Sequence, residues 1–267
     1  MKPLISVIIP TYNRPRLLTE CLQALALDPY KNLEVIVVND AGIDPTPVIE
    51  PLLDLLKVTI VSLPINRGHV YARNRGLEQA QGDMIMLCDD DDIILPGHIA
   101  RMVQSYRPDQ DTLLYSDVEI VTYTHARGHR EPMARQAFAF DFDKSLLQKW
   151  NIIISSGILY PHRLHEQIGI FDEDMRDYWD WDFFLRVADI GSLRRIPFAD
   201  VLYFVSAAGE NLSSHPVAMQ KSLTRFQKKH DLGTLPVSSF LLMTKEPSLS
   251  PFRKPSCVTW NGILDFS

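Results

Sequence analysis

An apolar run, Met84-Ile85-Met86-Leu87-Cys88, stops abruptly at four consecutive aspartates, Asp89-Asp90-Asp91-Asp92. Adjacent carboxylates repel one another, and at the end of a buried strand they lose the water that would screen them. A chain with this junction has to end the strand at an accessible edge and find a counter-charge there. Mg²⁺ or Mn²⁺ suits, because both take hard oxygen ligands and complete their shell with water or phosphate. The run then reads as half of a metal site whose other half is a phosphorylated ligand. The second reading is a solvated acidic turn capping the next helix, since Asp favours a helix N-terminus. The run alone leaves both open.

The surrounding pattern narrows the choice. Strand-like runs at Leu4–Ile9, Leu33–Val38, Val58–Leu63 and Asp83–Cys88 alternate with helical stretches at Pro15–Leu27, Val48–Leu56, His69–Gln81 and Pro96–Tyr106, and Thr112–Tyr115 is a further strand. Strands that are almost continuously apolar, separated by helices, predict an α/β domain with a mostly parallel sheet covered on both faces. Ligands in such sheets bind beyond the carboxyl ends of the strands. Polar residues stand at those ends: Thr11-Tyr12-Asn13-Arg14, Asn39-Asp40, Asn66-Arg67-Gly68 and the aspartates. Beyond residue 121 the periodicity weakens. Thr122–Phe142 reads as an ordered flap or a mobile loop, Asn151–Tyr160 as strand-like, and Leu164–Ile168 and Asp182–Ala188 as helical. From Leu232 the chain is rich in proline and serine and reads as an extended tail or small docking element.

Composition excludes several classes. The 267 residues are 46% hydrophobic and 22% charged, which suits a soluble protein of one large domain or two small ones. A net charge of −6 gives no electrostatic footprint for nucleic acid. The basic clusters Arg127-Gly128-His129-Arg130 and Gln227-Lys228-Lys229-His230 read as solvated faces or as contacts for an anionic ligand or lipid headgroup. Cys21, Cys88 and Cys257 are widely spaced, which argues against a disulfide framework or structural zinc and fits a reducing, cytoplasmic setting. No signal peptide or transmembrane run is expected, which leaves peripheral association with the inner membrane face open.

Five blocks, in order, resemble the family 2 glycosyltransferases, an inverting group with the GT-A fold. They are Ser6-Val7-Ile8-Ile9-Pro10-Thr11-Tyr12-Asn13-Arg14; Val37-Val38-Asn39-Asp40; Asn66-Arg67-Gly68 with Ala72-Arg73-Asn74-Arg75-Gly76; Gly82-Asp83 through Asp92; and Gly169-Ile170-Phe171-Asp172-Glu173 followed by Trp179-Asp180-Trp181-Asp182-Phe183-Phe184-Leu185-Arg186. The resemblance spans roughly residues 4 to 215. It implies a glycosyltransferase domain over 1–230, with a nucleotide-binding half to about 120 and an acceptor half beyond, and the tail at 231–267.

The resemblance also implies roles. Pro10, Thr11, Tyr12, Arg14, Asp40, Asn66, Gly68, Arg73, Asp89 and Asp90 would surround a nucleotide-sugar donor, with Tyr12 stacking on the base and Asp40 accepting the imide N–H of uracil. Tyr12 is otherwise a half-buried aromatic, and Asp40 a turn-forming residue before Gly42. Arg73 would reach the diphosphate or pair with an aspartate of the run. Asp91 is the implied direct ligand of Mn²⁺ or Mg²⁺, with Asp89 or Asp92 beside it. Strand alternation would point Asp89 and Asp91 the same way and Asp90 elsewhere. Asp180 matches the expected general base, although Trp179 stands where the family has an acidic partner; Asp182 and then Asp177 are the alternatives, and a helix cap is the structural role open to Asp180. Trp179 and Trp181 would stack on an acceptor sugar or belong to the core. An Arg and a His common near Tyr203-Phe204-Val205-Ser206 are missing, and His215 is the substitute as a metal or phosphate contact.

The implied activity is transfer from a nucleotide diphosphate sugar, UDP-linked by preference, to a glycan or lipid-linked acceptor. Two rivals are weighed against it. A Mg²⁺-dependent phosphohydrolase needs a small residue after its Asp-x-Asp, whereas Ile93-Ile94 follow here. A non-catalytic nucleotide-sugar binding module would bind donor without turnover. A dinucleotide-binding dehydrogenase is excluded by the lack of G-x-G-x-x-G after any strand.

Overall fold

The computed structural model describes residues 2–108, 110–126, 129–208 and 216–263. In chain order the strands are β1 (Ile5–Thr11), β2 (Leu33–Asn39), β3 (Val58–Ser62), β4 (Met84–Leu87), β5 (Ile93–Ile94), β6 (Thr112–Ala126), β7 (His129–Phe138), β8 (Leu159–Pro161), β9 (Ser192–Ser206) and β10 (Cys257–Val258). The helices are α1 (Pro15–Ala26), α2 (Thr46–Ile49), α3 (His69–Gln79), α4 (His98–Ser105), α5 (Lys144–Leu147), α6 (Leu164–Ile168), α7 (Trp179–Ile190), α8 (Pro216–Lys229) and α9 (Phe240–Met243).

Residues of β1, β2 and β4 are buried on both faces, as their nearly continuous apolar sequences require, and buried Ser6 donates to buried Glu34 at 2.6 Å. They form a parallel block in the order β3-β2-β1-β4, with β3, the half-exposed member, at the edge. The sheet continues through β8, β6, β9 and β10. Here it is mixed, because β8 runs antiparallel to both β4 and β6 while β6 and β9 are parallel. One sheet therefore runs through both halves, and the carboxyl ends of β1, β2 and β4 share an edge.

Several expected elements take another form. The helix expected over Val48–Leu56 is only α2 and a 3-10 turn at Glu50–Leu52, because Pro51 cannot continue an α-helix. Thr122–Phe142 is no loop: β6 extends to Ala126 and pairs antiparallel with β7. Pro132 lies in β7, where a register shift and an edge position tolerate its missing N–H. Asn151–Ile158 is irregular, and only Leu159–Pro161 is strand. β9 has fifteen residues although Arg194, Arg195, Pro197 and Asp200 interrupt its apolar pattern. Ion pairs explain the charges: Arg195 meets Asp117 at 2.6 Å and Asp141 at 3.0 Å. The register shift opposite Asp117 absorbs Pro197. Beyond Leu232 the chain packs on the domain, burying Leu235, Met243, Leu249 and Trp260, and β10 joins the sheet beside β9.

A buried charge cluster ties α4 to the irregular segment. Both ring nitrogens of fully buried His98 face acceptors, the Asp200 carboxylate at 2.7 Å and the Gly157 carbonyl at 2.8 Å. The ring must therefore donate twice, as an imidazolium. Gly157 has φ +82°, and a Cβ there would lie 2.5 Å from Val201 and 2.9 Å from His98 Nε2, so only glycine fits. Burial opposes the imidazolium, yet Asp200 outweighs it and raises the His98 pKa. Burial likewise opposes the Asp200 charge, and His98 and Arg101 outweigh it and lower that pKa. The His98 contribution is thus complete below its ordinary pKa near 6.5 and lost as pH rises through the raised folded value; that of Asp200 is complete above about 3.9 and lost as pH falls through the depressed one. Asp200→Asn should cost about 3–5 kcal/mol in urea unfolding between pH 4 and 6.5. The deficit should narrow as the pH climbs past the folded pKa of His98, and a deficit below 1 kcal/mol would refute the charged pair.

Candidate active site

The aspartates leave β4 in a turn, with the Asp92 amide donating to the Asp89 carbonyl at 3.1 Å. Strand alternation therefore does not govern them, contrary to the sequence expectation. The turn brings carboxylate oxygens of Asp89, Asp91 and Asp92 within 4.8 Å of one another. Asp90 turns back instead, accepting from Thr11 Oγ1 at 2.7 Å and Arg14 Nη1 at 3.2 Å. Arg14 Nη1 also reaches Asp91 at 2.9 Å. Ser156 Oγ donates to Asp92 at 2.5 Å and accepts the Asp89 amide at 3.2 Å.

Burial and the neighbouring charges raise the carboxyl pKa values. Burial and Asp91 push Asp90 up to about 7 against the pull of Arg14. Burial raises Asp91, with Arg14 opposing, and burial followed by Asp91 and Asp89 holds Asp92 well above the usual carboxylate range. The cluster is short of positive charge, and its donors are all hard oxygens. Asp89, Asp91 and Asp92 therefore fit a divalent cation such as Mg²⁺ or Mn²⁺.

A cavity of about 220 Å³ opens beside the cluster. Of the residues expected from sequence, Pro10, Arg14, Arg73, Asp89, Asp90, Asp91, Trp179, Asp180 and Trp181 line it. Asp177 lines it too, with Ser222 Oγ donating to its carboxylate. Buried Arg73 lies between the aspartate turn and Trp179, the neighbour of Asp180. Its Nη2 pairs with Asp89, its guanidinium lies 4.1 Å over the Trp179 ring, and its Nη1 donates to His69 Nδ1 at 2.6 Å. Burial and Arg73 hold His69 down to about 3, so that ring is neutral.

Asp180 lies in the first turn of α7, but the helix N-cap is Tyr178 and Asp180 does not cap it. Its carboxylate accepts from Asn151 Nδ2 at 3.0 Å and the Trp181 amide at 2.8 Å. Burial lifts its pKa to about 6 against those hydrogen bonds. Asp182, two residues on, faces away from the cavity. It is fully buried against His230 at 2.8 Å, Arg186 at 2.9 Å and Lys229 at 2.5 Å. Burial alone would raise its pKa, but these partners draw it down to about 2. That environment suits a structural anion rather than a base.

Other expected residues lie outside the cavity. Tyr12 is 47% exposed at the end of β1, and Asn66 is exposed as well. Asp40 is buried, and its two oxygens accept the Arg67 amide at 2.8 Å and the Gly68 amide at 2.7 Å, fixing that loop. The turn before Gly42 belongs to Asn39, whose side chain accepts the Gly42 amide at 2.8 Å. Trp179 and Trp181 line the cavity but are buried; Trp181 Nε1 donates to the Leu147 carbonyl at 2.6 Å. The basic clusters prove structural in part. Arg130 is buried against Glu20 at 2.7 Å and donates to the Asp91 carbonyl at 2.5 Å, while Lys229 and His230 hold Asp182. His215 and Arg127-Gly128 lie outside the described residues.

Sequence reading missed His69, Asn151 and Ser156, and offered Arg130 only as a member of a basic cluster. Only His69 carried a signal, since it precedes Arg73 by four residues, one helical turn, at the start of α3.

Comparison with known proteins follows the same lines. Residues 6–169 match the family model for glycosyl transferase family 2. The uncharacterized glycosyltransferase YwdF of Bacillus subtilis (strain 168) is 40% identical over 259 residues, 97% of this chain and 96% of that protein. The putative colanic acid biosynthesis glycosyl transferase WcaA of Escherichia coli (strain K12) is 24% identical over 233 residues, 85% of this chain and 81% of its own. Two solved structures share the fold. TarS 1-349 of S. aureus, in complex with UDP-GlcNAc, superposes with a TM-score of 0.58 at 20% identity, over 84% of this chain and 66% of that one. The mannosyltransferase PcManGT of Pyrobaculum calidifontis, in complex with GDP-Man and Mn²⁺, gives 0.59 at 21% identity, over 94% and 68%.

A cation binding at the aspartate turn has a thermal signature. Mn²⁺ at about 100 times its Kd should stabilise the fold by about 2.7 kcal/mol, or about 5–10 °C in Tm for a chain of this size. Asp91→Asn should remove most of that shift in a melting scan with and without Mn²⁺. An undiminished shift would place the ion elsewhere.

Proposed function

Because this chain belongs to glycosyl transferase family 2, we propose that it moves a sugar from a nucleoside diphosphate donor, UDP-linked by preference, to an acceptor hydroxyl with inversion. The observation that carries this reading is a single cavity with an acidic turn on one side and Asp180 on the other, joined by Arg73. The UDP-GlcNAc complex of TarS supports a uridine nucleotide, and the name of WcaA supports a place in polysaccharide synthesis. Among the described residues no helix is long and apolar enough to cross a membrane. Three free cysteines fit work in the cytoplasm, with or without attachment to the inner membrane face.

In this reading Asp89, Asp91 and Asp92 would hold Mn²⁺ or Mg²⁺. When bound, that ion supplies positive charge to the departing pyrophosphate. Arg14 and Arg73, already at the turn, add fixed positive charge beside it. Tyr12, exposed at the end of β1, offers its ring to the base. Asp40 shapes the loop at Arg67-Gly68, and its remaining lone pairs suit the imide N–H of uracil. Asp180 takes the proton of the acceptor hydroxyl as that oxygen bonds to the anomeric carbon. The bond from carbon to the diphosphate breaks on the opposite face, and the electron pair leaves with the nucleotide. A carboxylate with a pKa near 6 is ionised at neutral pH and still basic enough to accept a proton as the hydroxyl attacks.

The test needs no knowledge of the acceptor, since water replaces it in slow donor hydrolysis. UDP formation from UDP-GlcNAc with Mn²⁺ should show an acid limb near pH 6, because a protonated Asp180 cannot take the proton. Asp180→Asn should keep UDP affinity by calorimetry while lowering turnover by about 10²–10⁴ and erasing that limb. UDP binding without turnover in the wild-type chain, with every donor tried, would favour a binding module instead.

A further inference from the structure

The Asp180 end of the cavity holds groups that the proposed transfer does not use. Asn151 Oδ1 and the Tyr178 hydroxyl are buried and have no hydrogen-bond partner among the described residues. Both side chains are more than nine-tenths buried, and both residues line the cavity. Asn151 is oriented by its Nδ2 donation to Asp180, which leaves Oδ1 as a bare acceptor. Buried polar atoms without partners are rare in native proteins, and a bound group that completes them is the ordinary explanation.

Charge is unmatched at the same end. Arg14 and Arg73 are neutralised by the aspartates. Lys149 and Arg176 also line the cavity, yet neither has a carboxylate partner among the described residues. The two acidic side chains near them are already engaged, Asp177 by Ser222 and Asp180 by Asn151. His69 is neutral and adds no charge. The remaining wall is apolar and includes Trp150, Phe240 and Met243. Phe240 and Met243 belong to the segment beyond Leu232, outside the residues 6–169 that match the family model.

We propose that this end of the cavity takes an anionic saccharide acceptor, a sugar whose hydroxyl reaches Asp180 while a phosphate on the same molecule meets Lys149 and Arg176. The proposal rests on the reading of Asp180 as the base at the acceptor side. Asn151 Oδ1 accepts from a second sugar hydroxyl, and the Tyr178 hydroxyl donates to a ring or bridging oxygen. Two exposed cations, one in the turn after α5 and one in the turn before α7, suit a phosphate, which accepts from several directions. The phosphate could belong to a lipid headgroup or to a soluble glycan, and the chemistry at the protein is the same.

Calorimetry on the full chain saturated with UDP and Mn²⁺ tests this with two probes, N-acetylglucosamine 1-phosphate and N-acetylglucosamine. The phosphate-bearing sugar should bind about tenfold tighter or more, with the advantage shrinking as NaCl rises. K149A/R176A should abolish the advantage, and the charge-retaining K149R/R176K should keep it. A third arm uses a short prenyl-diphosphate N-acetylglucosamine in detergent micelles: tighter binding than the soluble phosphate assigns a lipid headgroup, and equal binding assigns a soluble glycan. Equal affinity for the two soluble probes, with UDP binding and donor hydrolysis intact, overturns the anionic acceptor and leaves the transferase standing. Absence of UDP binding and hydrolysis in the wild-type chain overturns the transferase reading itself.

Discussion

Crowding of four carboxylates at the end of β4 is the constraint to which the rest of the molecule answers. At 4.8 Å two ionised carboxylates repel by about 3 kcal/mol at an effective dielectric near 20. The protein spreads the offset over distant segments. Thr11 and Arg14 come from the end of β1 and the start of α1, Arg73 from α3, Ser156 from the irregular segment before β8, and Arg130 from β7. None of these sequence-remote groups is near the run until the sheet has formed, so the turn reaches its final geometry only when both halves of the fold are in place. His98 extends the same dependence, because it fixes Gly157, and Gly157 sits next to Ser156.

The two acidic residues at the start of α7 show how one turn of helix separates two environments. Asp180 and Asp182 are two positions apart, about 200° around the helix axis, and so project to opposite sides. One side is the cavity, where burial raises the pKa to about 6 against hydrogen bonds from Asn151 and the Trp181 amide. The other carries His230, Arg186 and Lys229, which draw it down to about 2. Trp179 faces Arg73 with an aromatic ring. Arg73 is then shared among the ring, Asp89 and His69.

What the sequence made legible follows the same physics. β1, β2 and β4 are apolar on both faces, so their periodicity is unambiguous, and the polar residues at their carboxyl ends mark the edge where the cavity opens. β6 and β9 were illegible beyond their apolar parts because Asp117, Arg195 and Asp200 look like breakers until their partners are known. The grouping of Asp89 and Asp91 apart from Asp90 was legible, but a turn rather than strand pleating produces it, and local sequence does not reveal where pleating ends. Asn151, Ser156 and Arg130 carried no motif at all. Each acts by meeting a group far along the chain, and such a contact has no signature in a single sequence.

The division between the two walls of the cavity has a consequence for how this chain relates to its relatives. The aspartate turn, Arg14 and Arg73 all lie within the part that matches the family model, whereas α7, α8 and the segment carrying Phe240 and Met243 lie beyond residue 169. The wall facing the aspartates is therefore constrained by chemistry that any relative with this turn must satisfy, since the repulsion has to be offset in the same few places. The opposite wall carries Asp180, held by Asn151, and around it Trp150, Phe240 and Met243 form an apolar lining that excludes water. It is held by burial of Leu235, Met243 and Leu249 and by the short pairing of β10, which allow side chains to vary while the backbone stays docked. A fold built this way can keep the aspartate turn and Asp180 fixed and alter the apolar lining around them by packing substitutions alone.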